Sequence, residues 1–153
     1  MNRLDPRVRV LWVGRAVVTA VVVGVVAAVA TLLVDAIPWW TPVVVSLLAL
    51  VVGVSVALAR YRLWRYEVRD DALYLERGVF TRVRTVVPFV RIQHVDSSRG
   101  PLERLVGLAS TVVYTAGSRG ADVTIPGLTP GGADDLRERL KRLAIRAEGE
   151  DAV

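Results

Sequence analysis

Two long apolar runs open the chain and short polar-apolar alternation comes after them, and this change of period divides the sequence. Residues 16–34 carry no charge and are mostly Val and Ala. As a helix rising about 1.5 Å per residue, the run is long enough to cross a hydrocarbon core of about 30 Å. A second uncharged run covers residues 36–59, with Trp39 and Trp40 at its start, where amphipathic rings favour the headgroup level. Helices are predicted at about 16–34 and 39–59. The turn left between them is so short that they form an antiparallel hairpin, and Pro38 and Pro42 suit helix starts, where a missing N–H costs little. Gly14, Gly24, Ser46, Gly53 and Ser55 offer a small-residue packing face.

Beyond Arg65 the alternation predicts half-buried strands. Residues 66–69 and 72–77 read as a hairpin turning at Asp70 and Asp71. Gly78 breaks the chain before a strand at 79–87; Pro88 interrupts pairing; an extended segment at 90–95 precedes a loop at 97–100. Residues 101–106 suit a short helix ended by Gly107, 109–115 and 122–125 are strands, and Gly117-Ser118-Arg119-Gly120 is a turn. The last element is a helix with Thr129 as N-cap, Pro130 in its first turn, Asp134 and Asp135 near its positive end, and a buried stripe of Leu136, Leu140 and Leu143.

The predicted fold class is a membrane α-helical hairpin of two transmembrane helices plus an α+β domain, an antiparallel β-sandwich or open barrel capped by a C-terminal α-helix. Its expected bounds are an arm at 1–15, the hairpin at 16–59, a basic juxtamembrane linker at 60–65, the domain at 66–146, and a polar, disordered tail at 147–153.

Charge sharpens this division. The formal net charge is +5, and residues 1–65 hold seven arginines against Asp5 and Asp35, while the basic and acidic residues of 66–153 balance. The excess therefore flanks the apolar runs, where it is a topology signal and not a nucleic-acid surface. Arg3, Arg7, Arg9 and Arg15 precede the first run, Arg60, Arg62 and Arg65 follow the second, and the turn carries only Asp35. The positive-inside rule then predicts a multi-pass protein of the cytoplasmic membrane with both termini in the cytoplasm. A secretory signal peptide is the competing reading, since Ala28-Val29-Ala30 resembles a cleavage site; the second run, coming almost at once, weighs against it.

Candidate chemistry is sparse. The absence of cysteine and the single histidine exclude disulfides, thiolate ligands and multi-histidine metal sites. Ser97 and Ser98 stand beside His94 and Asp96, but neighbours along a strand point to opposite faces and cannot by themselves form a triad. Gly117-Ser118-Arg119-Gly120 lacks the context of a phosphate loop. No enzyme, cofactor or metal site is expected, and the spans, free of ionisable residues, predict no ion pathway.

Pro88, the run Arg91-Ile92-Gln93-His94-Val95-Asp96, then Gly100-Pro101-Leu102-Glu103-Arg104, Gly107-Leu108-Ala109 and Thr115-Ala116-Gly117 resemble the core motif of the YdbS-like membrane proteins. The resemblance extends over essentially the whole chain. It implies a pleckstrin-homology-like (PH-like) domain, two bent antiparallel sheets closed at one end by the C-terminal helix, at the inner face of the membrane. It implies no reaction, and points to companion proteins with similar domains.

Two sets of residues are candidate sites. Arg91, Gln93, His94 and Asp96, with Arg104, are a candidate interaction surface; the competing reading is that Gln93 and His94 hold the strand-to-loop corner by hydrogen bonds. Arg60, Arg62 and Arg65 are candidate lipid contacts. Arg82 and Arg84 join them because their spacing with Arg77 is similar to that of phosphoinositide-binding PH domains, a solvated strand face being the alternative. The expected function is a membrane-anchored cytoplasmic interaction module, a scaffold or assembly component of an envelope-associated complex. Its partner would be another membrane protein with related domains, or a copy of itself. The alternative is a sensor of anionic phospholipid headgroups at the inner membrane face.

Overall fold

The computed structural model describes residues 1–117 and 122–152. It divides into a helical unit, Arg9–Arg62, and a second unit made of Met1–Val8 together with Leu63–Val153.

Two helices form the first unit, α1 (Val8–Leu33) and α2 (Thr41–Leu63), each long and apolar enough to cross a membrane. Both exceed their predicted bounds at the basic ends. Pro6 stands just before α1 and nothing from Val8 to Arg15 breaks a helix, so Arg9 and Arg15 are helical. Likewise α2 runs on to Leu63. Arg60 and Arg62 fall in its last turn, where cations complement the helix dipole, so most of the expected linker is helix. The small residues do what their size allows. A Cβ on Gly53 would stand 2.9 Å from the Ala16 Cβ, and one on Gly24 would stand 3.0 Å from the Ser46 Oγ. The Ser46 hydroxyl donates across the helices to the Ala20 carbonyl at 2.9 Å. Near the basic ends the Arg9 guanidinium lies 5.0 Å from the Tyr61 ring centroid and that of Arg60 4.5 Å from the Trp12 ring, both within cation–π range.

The second unit holds two antiparallel sheets. The first has the order β1 (Asn2–Arg3), β2 (Arg65–Val68), β3 (Ala72–Arg77), β4 (Val83–Pro88). After a 3-10 turn at Phe89–Arg91, β5 (Ile92–Ser98), β6 (Ala109–Thr115) and β7 (Val123–Leu128) form the second, with α3 (Pro101–Val106) between β5 and β6. The final helix, α4 (Pro130–Asp151), packs on β5, β6 and the 3-10 turn. Leu73 and Leu75, two apart on one face of β3, are buried, as are Val87, Phe89, Val113 and Ile125. The α4 stripe is Ala133, Leu136, Leu140 and Ala144. Leu143 is only half-buried, because Ala144 takes the inward position one turn after Leu140. The Thr129 hydroxyl caps α4 by accepting the Gly132 N–H at 3.0 Å. Thr111 ties the helix to β6 by donating to the Ala133 carbonyl at 3.2 Å, and Ser97 ties it to β5 by donating to Asp134 at 2.8 Å.

Several elements differ from the expectation. The first eight residues of the arm belong to the domain: Asn2 and Arg3 pair with Tyr66 and Arg65, and Leu4 and Val8 are 2% and 1% exposed. The Asp5 N–H donates to the Gly127 carbonyl at 2.7 Å. Gly127 has φ +66°, and a Cβ there would meet the Val8 Cβ at 2.9 Å, so its conformation and the contact both require glycine. Arg7 pairs with Asp5 at 3.1 Å and donates to the Val106 carbonyl at 3.2 Å. The strand expected at 79–87 begins only at Val83, because the chain turns at Gly78, φ +110°, where a Cβ would run into the Thr81 carbonyl oxygen. Pro88 does not interrupt pairing; it ends the edge strand β4 opposite Ala72, where a missing N–H is tolerated. Ser97 and Ser98 are strand, and α4 continues through the expected tail to Asp151. In Gly117-Ser118-Arg119-Gly120 the residues after Gly117 lie outside the described residues.

Replacing Leu4 by Ala in the full chain is expected to destabilise the domain by about 2–4 kcal/mol, the range for truncating a buried leucine. Thermal unfolding of the detergent-solubilised protein reads this as a lowered midpoint, and an unchanged midpoint would mean that the arm contributes nothing to the fold.

Candidate functional site

The run singled out in the sequence lies on β5, which is an edge strand with β6 as its sheet neighbour. Ile92 pairs with Thr115 but His94 pairs with Tyr114, so Gln93 is the extra residue of a β-bulge. The bulge breaks the inward-outward alternation and leaves Gln93 and His94 both exposed, after which Val95 and Ser97 turn toward α4 and Asp96 away from it. The His94 ring stacks on Tyr114 with centroids 4.1 Å apart and planes 15° from parallel. Its Nε2 lies 3.9 Å from Asp96 Oδ2, an exposed and long pairing that contributes little.

Between this edge and α4 runs a groove of about 460 Å³. Gln93, His94 and Val95 line it from the strand, and Lys141, Ala144 and Ile145 from the helix. Ile145 is 59% exposed although α4 is otherwise polar on its outer side. The rim carries both signs, including the Arg137–Glu138 pair at 3.2 Å. An edge strand leaves alternate N–H and C=O groups without a sheet neighbour, and the groove beside it is lined by charged side chains of α4 as well as by Ala144 and Ile145.

The remaining candidates lie elsewhere. Arg91 ends the 3-10 turn, where its carbonyl accepts the Ala116 N–H at 2.8 Å, a corner-holding role for the backbone. Arg104 is exposed on α3 and does not line the groove. The neighbouring motif is structural: the Glu103 carboxylate accepts the Gly100 N–H at 2.7 Å and the Ser110 hydroxyl, closing the start of α3. Arg60 and Arg62 belong to α2, and Arg65 opens β2 opposite Glu76. Arg84 donates to Glu76 at 2.7 Å, and Arg82 lies exposed before β4. The Arg84 hydrogen bond holds the Glu76 carboxyl below its usual range, with Arg82 and Arg65 adding attraction. The basic spacing therefore surrounds an acid.

A model of the family described as Bacterial PH domain matches residues 8–144. The chain belongs to the bacterial PH domain family. It is 41% identical over 85 residues to the UPF0699 transmembrane protein YdbS of Bacillus subtilis (strain 168), a match covering 56% of this chain and 52% of YdbS. It is 25% identical over 99 residues to the UPF0699 transmembrane protein YdbT of the same organism, covering 63% of this chain and 20% of YdbT. The chain thus spans about half the length of the first relative and a fifth of the second. No solved structure matches. The YdbS-like resemblance and the expected hairpin with a PH-like domain are borne out, and this bacterial PH domain protein is a membrane-associated module.

Two parts of its groove were missed by sequence reasoning. The bulge at Gln93 leaves no mark in composition. Ile145, in contrast, was visible as a large apolar residue one step off the Leu136–Leu140 stripe.

The lowered pKa of Glu76 has a definite sign. Its ionised form is favoured by folding, so its contribution to stability is present above the unfolded-state pKa and is lost as pH falls through the lower folded-state value. An NMR titration of Glu76 is expected to give a midpoint below the ordinary glutamate value of 4.5, moving upward in Arg84→Gln; an unmoved midpoint would show that the pair does not persist.

Proposed function

We propose that this protein is a membrane-anchored docking module whose β5–α4 groove takes up an extended segment of another membrane protein carrying a bacterial PH domain, in the manner of β-strand addition. The observation that supports it most is the groove itself, where an open strand edge stands beside an exposed apolar side chain, Ile145, within a rim of both charges. Such a rim favours a segment of alternating apolar and polar residues with little net charge. Similarity to stretches of two transmembrane proteins of one organism supports a partner of related build.

The module acts from the cytoplasmic side as a scaffold or assembly component. Arginines flanking both helices support that orientation. Pairing of β1 with β2 supports only that both flanks lie on one side, since residues before α1 and after α2 can share a sheet only if the hairpin returns the chain to the side it left. Tethering confines encounters to the membrane plane and raises effective concentration. Headgroup sensing by Arg82 and Arg84 has less support, because Arg84 is already paired with Glu76.

A photo-crosslinking side chain placed at Ile145 of the full-length protein in its native membrane is expected to capture a protein with a bacterial PH domain, and the same probe at the exposed Phe80 is not. Ile145→Asp should abolish the complex while leaving the unfolding free energy within about 0.5 kcal/mol of the parent, as for other surface changes. Capture that is equal at both positions, or insensitive to Ile145→Asp, would refute docking at this groove.

A further inference from the structure

A second concavity, of about 300 Å³, lies wholly within the helical unit. Trp12, Arg15, Ala16 and Thr19 line it from one face of α1, and Ala49, Gly53, Val56, Ala57 and Arg60 from one face of α2. The spacing on each helix is three to four residues, so the residues form continuous stripes and the concavity is a furrow along the hairpin. It has one apolar part and one cationic mouth. Ala16, Ala49, Gly53 and Val56 present only small or branched hydrocarbon, and the Thr19 hydroxyl is turned to the Arg15 carbonyl at 2.9 Å. Arg60, at the end of the α2 stripe, stands with its guanidinium over the Trp12 ring, and Arg15 lines the furrow between Trp12 and Ala16, so the two arginines supply its cationic part.

The sequence pattern places that mouth at the hydrocarbon border twice over. Arg15 immediately precedes the first uncharged run and Arg60 immediately follows the second. From Ala49 to Arg60 the furrow runs along about 16 Å of helix, roughly half of a ~30 Å hydrocarbon core and so about one leaflet deep. A furrow about one leaflet long, lined mostly by small apolar side chains and carrying two arginines, has the form of a lipid and the charge of a phosphate partner.

We propose that this furrow binds a single anionic phospholipid, its phosphate held between Arg15 and Arg60 and one acyl chain lying along Ala16, Ala49, Gly53 and Val56. The Trp12 ring stacks against Arg60 and fixes that guanidinium at the mouth. This site is separate from the β5–α4 groove and does not depend on the docking function.

Native mass spectrometry of the full-length protein released from detergent tests it, with phosphatidylglycerol and phosphatidylcholine as competing probes and soluble glycerol phosphate as a third. The expected result is one retained phosphatidylglycerol per chain, preferred over phosphatidylcholine by about tenfold or more and not displaced by glycerol phosphate. Arg15→Gln and Arg60→Gln are expected each to lower retention about tenfold, equivalent to about 1.4 kcal/mol. Ala49→Phe, which fills the furrow but keeps both charges, should lower it similarly. Arg62→Gln, an equal loss of charge outside the furrow, should change it less than about twofold. Helicity of each variant by circular dichroism confirms that the hairpin is intact. Equal retention of the two lipids, or equal loss in Arg62→Gln and Arg15→Gln, would reduce the arginines to topology markers and overturn the proposal. Displacement by glycerol phosphate would overturn the lipid assignment in favour of a soluble phosphate.

Discussion

Pairing of β1 with β2 is the constraint on which the rest of the architecture depends. Asn2 stands opposite Tyr66 and Arg3 opposite Arg65, so more than sixty residues of chain, the whole helical hairpin among them, form the connection between two adjacent antiparallel strands. Closing so long a loop would carry an appreciable entropic cost in a flexible chain. Here the loop consists largely of two helices that return close to their starting point. The short β1 strand is held less by its own hydrogen bonds than by the residues just after it: Leu4 and Val8 buried against Gly127, the Asp5 N–H on the Gly127 carbonyl, and Arg7 reaching Val106. The segment entering the first helix is thus part of the core of the domain that comes after the second.

That constraint was the least legible part of the sequence. The hairpin could be read from two uncharged runs, and the strands from alternation, because each signal is local and results directly from burial in lipid or against a core. The arm gives no comparable signal. Two apolar residues, Leu4 and Val8, among Asn2, Arg3, Asp5 and Arg7 look like a topology-setting basic segment, and only a glycine more than a hundred residues away shows what covers them. The same distinction explains the helix ends. Charges that bound a hydrophobic run do not end a helix, so α1 and α2 continue through Arg9, Arg15, Arg60 and Arg62, as does α4 through its polar end.

At the candidate site the sequence located the strand but not the surface. The cluster at Arg91, Gln93, His94 and Asp96 is divided by the structure: Gln93 and His94 are among the groove's lining residues, Asp96 is not, and Arg91 serves the corner. Arg104, close to the same motif, lies on α3, where Glu103 and not the arginine has the structural task. Charge counting also failed to show that Arg84 is bound to Glu76, whereas Arg15 and Arg60 converge on one furrow. Basic residues that look equivalent as topology signals therefore occupy different environments.

The measurement that tests the shared sheet most directly is a disulfide trap, which the lack of native cysteine makes clean. Arg3→Cys with Arg65→Cys places two thiols on directly opposed residues of an antiparallel pair, at a separation that a disulfide can span. Mild oxidation in native membranes should give an intramolecular bond in most chains, and Arg3→Cys with Arg82→Cys should give almost none. Failure of the opposed pair to crosslink within one chain, or crosslinking only between chains, would contradict a domain built from both flanks of its own hairpin.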